Sequence, residues 1–216
     1  MKKFVALLMA AFMLLSLAAC SQSNQTTDQS PVGSTNEVNS NGSVSNDDNT
    51  ESTSKILVAY FSATGTTEGV AETAADVMGA DIYEIVPAVP YTSEDLNYND
   101  NNSRSTKEMN DPNARPEING SVENMDQYDI VFIGYPIWWG EAPRIVSTFM
   151  ESYDFSGKTV VPFCTSGGSG VGSSAQNLEK LTSGATFADG QRLNSSASRD
   201  DVTKWIDDLN LNISTK

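Results

Sequence analysis

The sequence predicts an α/β fold: a parallel sheet covered by helices on both faces. Three observations carry this. Apolar and β-branched runs of strand length recur at Ile56 to Phe61, Tyr128 to Tyr135 and Thr159 to Cys164. Stretches with apolar residues at helical spacing lie between and after them. Each run breaks directly into a turn of unusual composition.

The first unit runs from Lys55 to Ala80. Its strand breaks into the hydroxyl-rich turn Ser62-Ala63-Thr64-Gly65-Thr66-Thr67. A helix follows, with Val70, Ala71, Ala74, Val77 and Met78 on its inner face and Gly79 as its C-cap. A strand, a polar glycine turn and a helix aim backbone amides and a helix N-terminus at one spot, which favours an anion, most often a phosphate. A triphosphate-binding loop would carry a lysine, and none is present. A dinucleotide fingerprint needs GxGxxG, and Gly65 and Gly69 have the wrong spacing. The four hydroxyls of Ser62, Thr64, Thr66 and Thr67, with free amides around one glycine, suit a terminal phosphate monoester held by neutral donors. The alternative is an ordinary helix cap, for which one Ser or Thr would suffice.

The remaining elements follow in order. Asp81 to Val86 alternates like a half-exposed edge strand. Pro87 to Gln127 is long and polar, with one short turn at Thr106 to Met109. It reads as a solvated surface loop, or else as a cover in which Tyr98, Asn99 and Arg104 shape a ligand site. Tyr128 to Tyr135 is a continuous apolar run and therefore a central strand. Pro136-Ile137-Trp138-Trp139-Gly140-Glu141-Ala142-Pro143 leads into a helix with Pro143 in its first turn and Ile145, Val146, Phe149 and Met150 inward. Thr159 to Cys164 is another strand, although Pro162 is out of place in it. The glycine-rich stretch Thr165 to Gly172 precedes a helix with Ala175, Leu178 and Leu181 inward. A short last strand near Ala185 to Phe187 continues at Gln191 to Leu193. Ser198 then caps a helix with Val202, Trp205, Ile206 and Leu209 on one face.

In open sheets of this class, ligands bind beyond the carboxyl ends of the strands. The three unusual turns all follow strands, and right-handed crossovers bring them to one edge. One supplies phosphate ligands, one large aromatics, and one exposed glycine-rich backbone. A flat heteroaromatic ring on a phosphorylated tail fits the three together.

The ends and the bulk composition set further bounds. Lys2 and Lys3 precede the 16 uncharged, apolar residues Phe4 to Ala19, too few for a spanning helix of ~20. Residues 1–19 read as a targeting segment. Residues 21–54, 34 in number, are dominated by Ser, Asn, Thr, Asp and Gln, which predicts a disordered linker with a reach of roughly 30 Å. Lys55 to Lys216 is then one domain of 162 residues. The chain carries a net charge of −15; without the two leading lysines and the five linker acids, 11 basic and 23 acidic residues leave −12. That balance argues against nucleic acid as a partner. It would steer a basic partner, or serve solubility alone.

There is no histidine, which excludes Ser–His and Cys–His nucleophile pairs and imidazole metal sites. After Cys20 the only cysteine is Cys164, which excludes an intramolecular disulfide, a CxxC pair and a thiolate metal cage within the domain. Cys164 reads as a small packed hydrophobe rather than a reactive thiol. Redox chemistry here would belong to an organic cofactor.

Two resemblances add to this. Leu17-Ala18-Ala19-Cys20 resembles a bacterial lipobox, which implies cleavage before Cys20, its acylation, and a lipid anchor outside the cytoplasmic membrane. The domain from Lys55 to Lys216 resembles the flavodoxins through its SATGTT, YPIWW and TSGGSG turns, in that order on those strands. That resemblance implies a three-layer, doubly wound sandwich with a five-stranded parallel sheet in the order 2-1-3-4-5, and non-covalent FMN. It places the phosphate on Ser62, Ala63, Thr64, Gly65, Thr66 and Thr67. It places the isoalloxazine ring against Pro136, Ile137, Trp138 and Trp139, and against Thr165, Ser166, Gly167, Gly168 and Ser169, and leaves open which tryptophan stacks on it. The backbone at Trp139 and Gly140 could rearrange to bond the reduced ring. The implied function is one-electron transfer with membrane-bound or surface redox proteins. The alternative is an FMN-dependent NAD(P)H:quinone-type oxidoreductase. The lipobox favours the carrier, because little NAD(P)H lies outside the cytoplasmic membrane.

Overall fold

The computed structural model describes residues 54–216. The targeting segment, Cys20 and the linker up to residue 53 lie outside them. Strand β1 (Ile56–Tyr60) is buried along its whole length, as a continuous apolar run requires. It is flanked by β2 (Asp81–Glu84) on one side and β5 (Ile130–Pro136) on the other, both parallel to it. Strand β6 (Thr159–Thr165) follows beyond β5, and the fifth position is shared by β7 (Thr186–Phe187) and β8 (Gln191–Leu193), also parallel. Counted by position, the order is the expected 2-1-3-4-5, with the last strand in two pieces.

The alternation of side chains along the strands builds two cores. Ile56, Val58 and Tyr60 face helix α1 (Thr66–Met78) and helix α5 (Arg199–Asp208), whose Val202, Trp205 and Ile206 pack there with Phe132 and Phe163. Leu57, Ala59 and Phe61 face helix α3 (Arg144–Glu151), whose Ile145, Val146, Phe149 and Met150 form the expected stripe, together with Leu178 of α4 (Ser174–Glu179). Gly79 ends α1 in the left-handed conformation at φ +63°, and Ser198 with Asp201 forms a capping box on α5. Pro143 stands one residue ahead of α3, at its N-cap.

The break in the fifth strand explains Pro162. The Thr159 amide donates to Asp129 on the β5 side, whereas the Val160 carbonyl accepts from Ala188 on the other side. By alternation the nitrogen of residue 162 points to the fifth strand, between the stretches where β7 and β8 pair with β6. No ladder bond is lost, so a proline is tolerated in an otherwise buried strand.

The stretch 87–127 corrects the expectation of a solvated loop. It carries helix α2 (Arg104–Asn110) and is closed by a short antiparallel pair, β3 (Val86–Pro87) against β4 (Ile118–Asn119). Ser103, Ser105, Thr106 and Met109 are buried. Their hydroxyls are satisfied locally: Ser103 caps α2 by accepting from the Thr106 amide, and Ser105 donates to the Asp95 carbonyl at 2.6 Å. Arg144 at the start of α3 donates to the Met109 carbonyl at 3.0 Å, tying this segment to the sheet-covering helix.

Candidate functional site

The three strand-end turns converge. A cavity of about 510 Å³ opens at the carboxyl ends of β1, β5 and β6, within the size range of small-ligand sites. It is lined by Ser62, Ala63, Thr64, Thr66 and Thr67 from the first turn, Pro136, Ile137 and Trp138 from the second, and Thr165, Ser166 and Gly167 from the third. Gly65, Trp139, Gly168 and Ser169, also expected there, do not line it. Leu96, Tyr98 and Ser195 do. Tyr98 is one of the three residues that the sequence offers as a cover. Leu96 and Ser195 carried no motif, and only the fold brings them in.

Thr165 holds the three turns together. Its carbonyl accepts from the Ile137 amide at 3.0 Å, and its hydroxyl pairs with that of Thr67 at 2.9 Å. Both threonines are almost fully buried. This fixes the start of α1 against the ends of β5 and β6.

The first turn fits an anion in three respects. Gly65 takes φ +80° at the N-cap of α1, and no side chain caps the helix there. The first-turn amides therefore keep their hydrogens for a ligand, with the helix dipole behind them. The Ser62 hydroxyl is shut off from solvent and has no protein partner. Finally, none of the lining residues is charged, so the anion would be held by neutral donors.

The two tryptophans separate. Trp138 is 2% exposed and meets Phe61 (5.5 Å between ring centroids) and Tyr91 (5.2 Å) edge-on. Tyr91 is held in turn by the Arg104 guanidinium 4.0 Å over its ring and by Glu108, to which its hydroxyl donates. Burial, then that hydrogen bond, raises the Tyr91 hydroxyl far above its ordinary range. Trp139 is 42% exposed and packs on Tyr98 at 4.6 Å, at the rim. The reason is the turn. Trp138 and Glu141 exchange backbone hydrogen bonds at 2.9 and 3.0 Å, and the central residues Trp139 and Gly140 both take positive φ, +48° and +83°. This is the signature of a primed two-residue turn. Left-handed backbone at a bulky residue costs about 1–3 kcal/mol and persists only where the surroundings enforce it. Cys164, next to the pocket in β6, is fully buried, and burial pushes its thiol up to about 11, which disfavours the thiolate.

Among the described residues no cluster of His, Cys, Asp or Glu could hold a metal ion, and no helix is long and apolar enough to cross a membrane. The fold and the pocket define a doubly wound nucleotide-type binding domain. The flavodoxin family model matches residues 55–209, and the chain belongs to the flavodoxin family. Among solved structures, it is similar to a provisionally named flavoprotein of Bacteroides eggerthii, with 51% identity, a TM-score of 0.70, and coverage of 73% of this chain and 99% of that one. A second, from Bacteroides uniformis, shares 46% identity at a TM-score of 0.69, covering 71% and 98%. A flavoprotein of Lactobacillus acidophilus NCFM, solved in complex with FMN, shares the fold at 21% identity and a TM-score of 0.54, covering 71% and 99%. No curated protein matches the chain.

Proposed function

We propose that this chain is an FMN-binding electron carrier, anchored through acyl groups on Cys20 at the outer face of the bacterial cytoplasmic membrane. The observation that carries the proposal is the pocket at the three strand ends, with its unpartnered Ser62 hydroxyl and uncapped helix start. Its relation to the FMN-bound Lactobacillus flavoprotein is one of fold, and the fit of the group rests on the residues of this chain.

Ser62, Thr64, Thr66 and Thr67, with the first-turn amides of α1, would hold the phosphate. Pro136, Ile137 and Trp138, Thr165, Ser166 and Gly167, and the outer wall of Leu96 and Tyr98 would enclose the ring. FMN supplies one- and two-electron redox chemistry when bound. The protein's part is to bind, orient and shield it, and to set the charge around it. A pocket without a cation, in a domain of net charge −12 by the count above, disfavours further negative charge on whatever it holds. The reduction potential of bound flavin should therefore fall below that of free flavin. The same acidity suits a basic docking surface on a membrane-bound or surface redox protein.

The test is to purify the full chain, record its visible spectrum and identify the released ligand by mass. Yellow protein releasing FMN supports the reading; colourless protein that takes up no added FMN counts against it. Rapid anaerobic bleaching by NAD(P)H alone would favour the reductase reading over the carrier. Radiolabelled fatty acid recovered on the wild-type chain, and absent from Cys20→Ala, tests the anchor.

A further inference from the structure

Two of the three pocket turns are joined by one side chain. Glu141 closes the strained Trp139–Gly140 turn through its backbone. Its carboxylate leaves the pocket and reaches the start of α4. One oxygen accepts from the Ser173 hydroxyl at 2.7 Å, the other from the Asn177 amide at 2.9 Å. Ser173 directly follows the glycine-rich turn that supplies Thr165, Ser166 and Gly167. At the same junction Gly172, at φ +56°, lies against the Gly140 carbonyl, so that a Cβ there would sit 3.8 Å from that oxygen. A buried bond beside it repeats the connection: the Tyr135 hydroxyl pairs with Ser174 at 2.9 Å, and Ser174 also donates to the Val171 carbonyl at 2.6 Å.

We propose that Glu141 is a positioning residue. It locks the aromatic turn to the glycine-rich turn, so that both move as one body and the width of the slot between them is fixed. The inference rests on the FMN reading for what the slot holds. The geometry supplies what an unfavourable backbone at Trp139 requires, a second anchor outside the turn. The clamp works by geometry rather than by charge. A glutamine could keep both bonds: its oxygen accepts from the Asn177 amide, whose own oxygen stays with Lys180, and its N–H donates to the Ser173 hydroxyl, which can accept as well as donate.

The experiment compares wild type, Glu141→Ala, Glu141→Gln and the double variant Ser173→Ala/Asn177→Ala in the full chain. The readouts are FMN dissociation constant, midpoint potential, and amide hydrogen exchange of the ligand-free protein. The alanine variant and the double variant should each weaken FMN binding at least about tenfold. They should shift the potential in the same direction and speed exchange in residues 139–141 and 167–173 together. Glu141→Gln should stay within about threefold of wild type in affinity and keep wild-type exchange in both turns. Wild-type behaviour in Glu141→Ala overturns the proposal, as does faster exchange in one turn only. Glutamine behaving as badly as alanine also overturns it, by pointing to the charge. Failure of the wild type to bind FMN counts against the functional reading instead, and the exchange data still decide the clamp.

Discussion

Ser62→Ala should move the ligand-free protein and its complex in opposite directions. In the ligand-free chain the Ser62 hydroxyl is cut off from solvent and finds no protein partner. A buried polar group left unpaired costs about 1–3 kcal/mol. Alanine removes that cost together with a small amount of packing, so ligand-free stability should hold or rise by about 1 kcal/mol. In the complex the same hydroxyl would donate to a phosphate oxygen. Hydrogen bonds to charged groups contribute about 1.5–3 kcal/mol, so its loss should weaken FMN binding roughly 10- to 100-fold. Urea unfolding of the apoprotein gives the first quantity and titration of FMN fluorescence the second. A variant that loses stability while binding FMN as tightly as wild type would refute the reasoning, because Ser62 would then be an ordinary structural serine.

Three further outcomes follow from the same geometry. Gly134 lies against the Phe163 ring, and a Cβ there would come 2.7 Å from Cε2; Gly134→Ala should cost about 1–3 kcal/mol by overpacking, lowering Tm by several degrees in a calorimetric scan. Trp138→Ala should empty part of the core at a cost of about 3–5 kcal/mol, whereas Trp139→Gly exchanges one rim contact for relief of positive φ and should be near neutral, a contrast that denaturant unfolding would show. The Asp81 carboxyl is held below its ordinary 3.8 by the Tyr128 hydroxyl first and Lys55 after it, Glu151 is lowered by Arg115, and Asp201 by Ser198. Depressed carboxyl values contribute stability that is in place above the ordinary carboxylate range and lost as pH falls through the folded values, so stability should decline below about pH 4, and Tyr128→Phe should return Asp81 toward 3.8 in an NMR titration.

Much of this site is legible in the amino-acid sequence because it is local. Ser62 to Thr67 sits between a strand and a helix that are each defined by their own periodicity, and the convergence of the turns follows from parallel strand order. What escapes is what the chain settles at long range. Adjacent tryptophans part, one into the core and one to the rim, because Trp138 enters a primed turn and Trp139 is its first central residue. Only Gly140 hints at that turn, since tryptophan is a poor residue for positive φ. The polar stretch 87–127 reads as solvated because hydropathy counts hydroxyls as water-seeking, yet Ser103 and Ser105 are buried and bonded to backbone. Ser195 reaches the pocket only because the fifth strand breaks and resumes beside the end of β6. That same break gives Pro162 its place, which the strand pattern alone could not.

The account depends most on the first turn binding a phosphate with neutral donors. Titrating the apoprotein with FMN and, separately, with riboflavin tests this directly, since the two ligands differ only by that phosphate. The account predicts one FMN per chain and riboflavin binding weaker by at least about 100-fold. Equal affinity for the two, or no binding of either, would contradict it.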